Sequence, residues 1–439
     1  MNKIIASVGL VALGAANVQA QTPLSGPATK WWNVQATVRG FYDDNINSVR
    51  HPGPSDHVWG GEITPKIGIA LGNDQTSFTA DYTYAFLYYD KKPAGNTERF
   101  DQDHTFNAAL SHSFSERYSV HVRDSFVIGQ EPDALRRDAA FHTPFRVAGD
   151  NIVDFGGIAF NADLTPVFGL EAGYNFAWFD YKDSFSGSAT TPGKNVEPDG
   201  TIVPSVSGAL DRIEHDPYLS LLWHVRSDTT ASLGYTFGEV DYTANEPILG
   251  NENDPTSILK SDKRDNRSHT LHVGLDHVFR PDFYGSAQVG ASYYDYYNLN
   301  TSRFGPYARL SLTYVYMPES SVQAGFQEGR AASDFVGGGT KADLVRDAET
   351  SVVFVNVRHR IVPNLFANVS GSYQYSQFEG GSDINDATES FYEFGGNLEY
   401  QFNPHFSVHA GYDFDHLDSK LPDRSYTRNK VYIGATASY

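Results

Sequence analysis

The sequence contains no cysteine, which excludes disulfides, thiolate metal sites and a lipid-anchored cysteine at a processed N-terminus. Only 2 of its 439 residues are methionine, and its mean hydropathy is −0.41. Beyond residue 20, no segment approaches the roughly 20 consecutive apolar residues that a membrane-spanning helix needs. The composition therefore excludes a helical membrane protein.

Aromatic residues and glycine are abundant instead, with 27 Tyr, 29 Phe and 39 Gly. Aromatic side chains suit pleated strands better than helices, so we expect an all-β protein. The formal net charge is −20. Nucleic acid is excluded as an expected partner, because binding it requires a basic face.

The first 20 residues have the features of a secretory signal peptide, which predicts an exported protein. Lys3 supplies the positive start, residues 4–16 the apolar core, and Val18-Gln19-Ala20 a small-residue cleavage site. The alternative is a buried N-terminal helix. We predict a signal peptide over residues 1–20, a short periplasmic segment over 21–30 and a membrane domain over 31–439.

Stretches of alternating apolar and polar residues recur along the whole mature chain, and this is the period of a strand with two different faces. Very short turns alternate with long loops rich in Gly, Pro, Asn, Asp and Ser. The stretches start near residues 32, 59, 75, 103, 117, 150, 166, 213, 229, 268, 282, 304, 319, 349, 364, 389, 405 and 427. This predicts a transmembrane antiparallel up-and-down outer-membrane β-barrel of about 18 strands (16–20), with short periplasmic turns and long extracellular loops.

The last residues of the chain show how the two faces sort. Val431, Ile433, Ala435, Ala437 and Tyr439 form one row, which we expect to face lipid. The alternate residues, from Tyr432 to Ser438, would face the interior. This strand must pair with the first one, because an open edge would leave backbone groups unpaired in the membrane. Tyr439 resembles the C-terminal aromatic signal that the barrel-assembly machinery reads, in which Phe is usual.

The inward rows carry charges of both signs. The candidates to line the lumen are Arg39, Lys66, Asp81, Arg123, Glu171, Asp276, Arg309, Arg358, Arg360, Glu393, Glu399, Asp413, Arg428 and Lys430. They could brace the wall as ion pairs or set the selectivity of a pore. Arg39, Arg428 and Lys430 form a like-charge strip across the closing seam. We expect carboxylates to face this strip across the lumen, and the alternative is an anionic solute.

No catalytic motif stands out, so we expect no enzyme activity. Adjacent Asp-His residues, such as Asp276-His277, point to opposite faces of a strand and cannot act together. The sequence contains no G-x-S-x-G, HExxH or phosphate-binding loop. We expect no cofactor and no metal site. Residues 383–389 offer oxygen ligands for Ca²⁺, but they lack the glycine and spacing of an EF-hand loop.

The segment after the first predicted strand carries Tyr42, Asp43, Asp44, Asn45 and Ile46. This element resembles the putative beta-barrel porin 2 family of outer-membrane proteins. The resemblance implies a Gram-negative outer membrane and contact with its lipids. Some members of that family look like companions of exopolysaccharide synthesis and export, so polysaccharide-export proteins are possible partners.

The expected function is a porin-like channel for passive diffusion of ions or small hydrophilic solutes, since an 18-stranded barrel encloses room for water. One alternative is an outer-membrane component of exopolysaccharide export that opens only with other proteins. Another is a structural or adhesive barrel whose long loops bind partners. A lumen closed by loops 180–212 or 243–267 would favour the export component.

Overall fold

The computed structural model describes residues 30–92, 98–129, 150–187, 195–337, 344–380, 385–421 and 423–439. The predicted signal peptide lies outside these ranges, as does all of the predicted periplasmic segment except Lys30. Within them, no helix is long and apolar enough to cross a membrane.

One antiparallel sheet of 18 strands forms the body of the described chain. The strands of its first half are β1 Trp32–Asp43, β2 Val58–Gly72, β3 Thr76–Tyr89, β4 Phe100–Ser113, β5 Tyr118–Gly129, β6 Asn151–Asp163, β7 Phe168–Tyr181, β8 Arg212–Arg226 and β9 Thr229–Tyr242. The strands of its second half are β12 Asn266–Arg280, β13 Phe283–Tyr296, β14 Thr301–Met317, β15 Ser320–Ala331, β16 Val345–Val362, β17 Leu365–Gly380, β18 Thr388–Asn403, β19 Phe406–Ser419 and β20 Tyr426–Ser438. Each begins within a few residues of its predicted start, so the predicted strand number is confirmed.

The sheet closes on itself, because β1 pairs with β20 as well as with β2. The seam runs from Gln35 opposite Ser438 to Asp43 opposite Lys430. At its lower end, Val34 and Tyr439 exchange two backbone hydrogen bonds of 3.1 and 2.8 Å. Closure leaves no strand edge in the membrane, and Tyr439 takes part in it directly.

The side chains of each strand alternate between an apolar outer row and a polar inner row. In β20, Val431 is 46% exposed and Ile433 68% exposed on the outer row. On the inner row, the hydroxyl groups of Thr37 and Thr436 lie 2.9 Å apart across the seam. The outer row faces lipid, because exposed apolar side chains of this kind are stable only in hydrocarbon.

Short connections meet at one end of the barrel, here called the turn end, and long ones at the other, the loop end. Two long loops contain short helices and strands that the alternation of apolar and polar residues did not predict. These elements are helix α1 Val206–Leu210, strands β10 Pro247–Asn251 and β11 Asp254–Lys260, and a 3₁₀ turn Ser261–Arg264. They are too short for a period to show in the sequence, and packing against the barrel stabilises them instead.

Two aspartates break the rule that the lipid-facing row is apolar. Asp124 shares the outer row of β5 with Val122, and Asp154 shares that of β6 with Ile158. Each lies six residues from the turn-end aromatic of its strand, about 15 Å up the wall. Their carboxyl groups interact across the two strands. A proton shared between two neighbouring acids would lower the cost of holding both in hydrocarbon.

Replacing both aspartates by leucine is expected to raise the free energy of unfolding by about 1–2 kcal/mol, because acids on the lipid face destabilise a barrel. Urea unfolding followed by the shift in gel mobility measures this change. Asp418→Leu is the control, since Asp418 lies exposed at the loop end of the outer row of β19. A loss of stability in the Asp124→Leu/Asp154→Leu variant would show that the pair contributes a stabilising contact.

Candidate functional site: the barrel interior and its loop-end mouth

All the charged residues predicted to line the lumen lie on the inward rows. On the basic side these are Arg39, Lys66, Arg123, Arg309, Arg358, Arg360, Arg428 and Lys430, and on the acidic side Asp81, Glu171, Asp276, Glu393, Glu399 and Asp413. The period of two along a strand places them there, because each alternates with the exposed apolar residues of the outer row. Their role in selectivity remains a prediction.

Several of these charges brace the wall as ion pairs with a neighbouring strand or turn. Arg39 bonds to Glu62, and Lys66 lies 3.1 Å from Asp81. Arg360 lies 2.5 Å from Glu319, which belongs to a turn. Glu62 was missed by sequence reasoning, although its place opposite Arg39 on the same face could have revealed it.

The like-charge strip at the seam is neutralised from β1 and β2 and not from across the lumen. Asp43 is fully buried and accepts hydrogen bonds of 2.9 and 2.7 Å from the guanidinium of Arg428. The ammonium of Lys430 lies over the ring of Phe41 at 4.7 Å. The carboxylates that pair with Arg39 and Arg428 thus come from adjacent strands, whereas we expected them across the lumen.

The Tyr-Asp-Asp-Asn-Ile element ties the first loop to the last strand. The carboxylate of Asp44 accepts two hydrogen bonds of 2.7 Å from Asn429. The side-chain amide of Asn45 donates to the carbonyl of Thr427 at 2.9 Å, and Ile46 is buried. Together with Asp43, the element extends the seam beyond the last strand pair. Its geometry assigns it to barrel closure.

The wall from β5 to β14 carries charges that form no ion pair within the described chain. The guanidinium of Arg123 donates to Asn175 at 3.3 Å, and that of Arg309 lies 5.5 Å from the ring of Tyr307. Glu171 bonds to the hydroxyl of Tyr218. Charges on the inner wall that are not neutralised by an ion pair can interact with a solute in the lumen.

Two further candidates contact neutral groups, and a third lies opposite a charged residue. Glu393 accepts a hydrogen bond of 2.7 Å from Ser372, and Arg358 lies over the ring of Phe366 at 4.9 Å. Asp413 lies directly across from Lys430 on the inner row. These contacts hold the charged groups at the wall.

The long loops fold inward at the loop end and form a packed cluster, here called the loop cluster. Its apolar residues are Ala209 and Leu210 of α1, Ile248 and Leu249 of β10, Leu259 of β11, and Val336 and Leu344 of the β15–β16 loop. They pack against Val153 of β6 and Phe179 of β7, which belong to the inner row. The loop cluster therefore narrows the mouth from the inside.

Arg264 holds the loop cluster together and was not predicted from the sequence. It is fully buried and lies beside the ring of Tyr242 at 4.5 Å. Its guanidinium donates to the carbonyls of Ala209 at 2.7 Å and of Ser333. One side chain thus joins the three loops that follow β7, β9 and β15. A buried arginine bonded only to carbonyls is costly to disrupt, since each bond removed leaves a polar group unpaired.

Asp211 and Asp265 fasten this cluster to the barrel in the same way. Each precedes a strand and accepts a hydrogen bond from the backbone of the neighbouring strand, Asp211 from Tyr181 at 2.7 Å and Asp265 from Tyr242 at 2.8 Å. Burial raises the pKa of Asp211 to about 7, with help from the charges of Asp180 and Glu246. Burial likewise raises the pKa of Asp265 to about 6.

Among the described residues, no group of His, Asp or Glu is arranged to hold a metal ion. Asp383, one of the oxygen ligands considered for Ca²⁺, lies outside the described residues.

Comparison with protein families supports the resemblance seen in the sequence. The model of the family "Putative beta-barrel porin 2" matches residues 349–439, which run from β16 to the end of the chain. The Tyr-Asp-Asp-Asn-Ile element lies outside this match, yet it bonds to β20 inside it. The match confirms the expected family resemblance over this part of the chain. No curated protein matches the chain in sequence.

Solved structures of bacterial proteins are similar to this chain in fold. A BenF-like porin from Pseudomonas fluorescens Pf-5 has 10% identity and a TM-score of 0.44, with 93% of this chain and 99% of that chain covered. OccAB4 from Acinetobacter baumannii and the outer membrane protein opdK from Pseudomonas aeruginosa each have 12% identity, a TM-score of 0.42 and the same coverage. At these scores the similarity describes the fold alone.

Asp43→Asn is expected to lower the free energy of unfolding by about 3 kcal/mol, because it leaves Arg428 half-buried at the seam without its counter-charge. Heating in detergent, followed by the gel shift between folded and unfolded barrel, measures the effect. Asp44→Asn is the matched control and should cost less, since an asparagine keeps one acceptor for Asn429. Equal losses in the two variants would contradict the seam assignment.

The stability of the loop cluster is expected to fall as pH rises from 3.8, the ordinary pKa of an aspartate, to about 7, the raised pKa of Asp211. The folded cluster holds a proton there that the open loop releases, so each step up in pH favours opening. Hydrogen exchange over residues 195–210, corrected for intrinsic rates, measures this. Asp211→Asn should reduce the dependence, whereas Asp199→Asn, in the same loop but exposed, should not. If the stability of the loop changes with pH in Asp211→Asn as strongly as in the parent protein, Asp211 is not the cause.

Proposed function

We propose that this protein is a porin-like channel of the outer membrane for ions and small hydrophilic solutes. The observation that carries the proposal is a closed 18-stranded barrel with charges of both signs on its inner row and apolar residues on its outer row. A barrel of this size encloses more space than its inward side chains fill, so the interior holds water. The family match supports the same function and an outer-membrane location. That family is described as porins, which agrees with a channel in place of an enzyme.

The loop cluster sets the size of the opening in this proposal. It rests on the inner wall at β6 and β7, and Arg264 joins the loops across the mouth. The net charge of −20 favours cations over anions at such an entrance. We therefore propose a narrow channel with a preference for cations, exported by the predicted signal peptide.

Conductance of the refolded chain 21–439 in a planar bilayer, with a salt gradient, tests the proposal. We expect stable steps with a cation preference. Arg264→Ala should give larger steps, because it releases three loops from one another. Arg280→Ala at the turn end is the control, since Arg280 is exposed and its contacts with Asp282 and the ring of Tyr314 lie away from the loop cluster.

The loop cluster also favours a second function, an outer-membrane component for polysaccharide export that opens with a partner. Closure of the mouth by loops 180–212 or 243–267 is the predicted mark of this function, and both loops contribute residues to the cluster. Steps in Arg264→Ala but none in the parent protein would support it. The absence of conductance steps in both the parent protein and Arg264→Ala, each shown to be folded and inserted, would overturn the channel proposal.

A further inference from the structure

The inner wall between β8 and β14 presents one acid and one base to the same part of the lumen. Asp216 alternates on β8 with Pro217 and Leu219 of the exposed outer row, and Arg309 lies opposite Gln288 on the inner row of β14. Within the described chain, neither Asp216 nor Arg309 forms an ion pair or a side-chain hydrogen bond. The charge of Arg309 nevertheless acts on Asp216, so the two groups lie near each other without contact.

Other charges on these two strands are already engaged in ion pairs. Glu214, which also acts on Asp216, is paired with Arg212 at 2.6 Å. Arg303, toward the loop end of the inner row of β14, lies 2.8 Å from Glu379. These pairs neutralise their own members, so the acid and the base below them keep their charges available to a solute in the lumen.

Two glycines and two rings form the wall between the acid and the base. A Cβ at Gly238 would lie only 3.1 Å from Oδ1 of the carboxylate, and the ring of His272 occupies the place of a side chain at Gly234. That ring packs against Tyr307 with centroids 5.2 Å apart, and Tyr307 in turn lies 5.5 Å from the guanidinium of Arg309. His272 is 7% exposed, and its Nδ1 has no hydrogen-bond partner in the described chain. This stretch of wall is therefore polar and recedes between the two charges.

We propose that this part of the lumen binds a small zwitterion, a solute that carries both a carboxylate and an ammonium group. The carboxylate of the solute pairs with the guanidinium of Arg309, and its ammonium pairs with the carboxylate of Asp216. A solute with one charge gains one of these pairs and is repelled by the other group. The inference rests on the proposed channel function, because the solute must pass the loop cluster to reach the site. It names amino acids and related zwitterions as the substrate class.

Titration of the refolded barrel with 4-aminobutyrate, followed by saturation-transfer NMR in detergent, tests the proposal. Butyrate and butylamine are probes of similar length that carry only the anionic group or only the cationic group. We expect 4-aminobutyrate to bind about tenfold more tightly than either probe, because it makes two charge-assisted contacts where each of them makes one. Equal affinity of the three probes would overturn the proposal.

The two single variants should separate the probes. Arg309→Gln is expected to weaken 4-aminobutyrate and butyrate by about tenfold and to spare butylamine, because it removes the partner of the carboxylate. Asp216→Asn is expected to weaken 4-aminobutyrate and butylamine and to spare butyrate. A side chain that only supports the wall would affect the three probes alike, so an equal effect on all of them would contradict the assigned roles.

Arg280→Gln/Asp282→Asn is the matched control, because it removes one charge of each sign from an exposed pair at the turn end. It should bind all three probes as the parent protein does, and heat-dependent gel mobility checks that every variant is folded. Conductance of the same preparations separates this inference from the channel function. Conductance steps without preferential binding of 4-aminobutyrate would overturn the zwitterion site and leave the channel, whereas binding without steps, from inserted protein, would count against the channel alone.

Discussion

The whole structure depends on one constraint: no backbone N–H or C=O group can stay unpaired in hydrocarbon. Closure of β1 on β20 meets this constraint, and the side chains at the seam are arranged around it. A like-charge strip of Arg39, Arg428 and Lys430 crosses the joint, which would push the two strands apart without counter-charge. Glu62 and the buried Asp43 supply that counter-charge from β1 and β2. The Asp-Asp-Asn run then extends the joint into the first loop, so the family-like element is explained by closure.

The sequence predicted the strands well, because a wall between lipid and water imposes a period of two on every residue that crosses it. It also predicted the inward place of the charged candidates, which follows from the same period. It could not predict Arg264 or α1, since the loop cluster depends on contacts between segments far apart in the chain and shows no period. Partners such as Glu62 lay within reach of the sequence argument, but only after the register of β1 and β2 was known.

The exceptions to the two-row pattern carry as much information as the pattern. Asp124 and Asp154 face lipid, yet they lie together on neighbouring strands, where each acid has a polar neighbour. The histidines of β4, β8 and β12 also face outward, each bonded to a tyrosine through Nδ1. In both cases, a polar group on the outer row has a partner on that row.

The wall of the barrel and the loop cluster at its mouth differ in how their charged side chains are held. Many wall charges are held by ion pairs, as Lys66 is by Asp81, so they present little net charge to a passing solute. The loop cluster, in contrast, is held by one buried arginine and by aspartates whose protonation changes near neutral pH. We therefore expect selectivity and opening to depend more on the loops than on the barrel. Loop changes at Arg264 leave the closing strand pair in place, because Arg264 lies between β9 and β12, halfway round the barrel from the seam of β1 and β20.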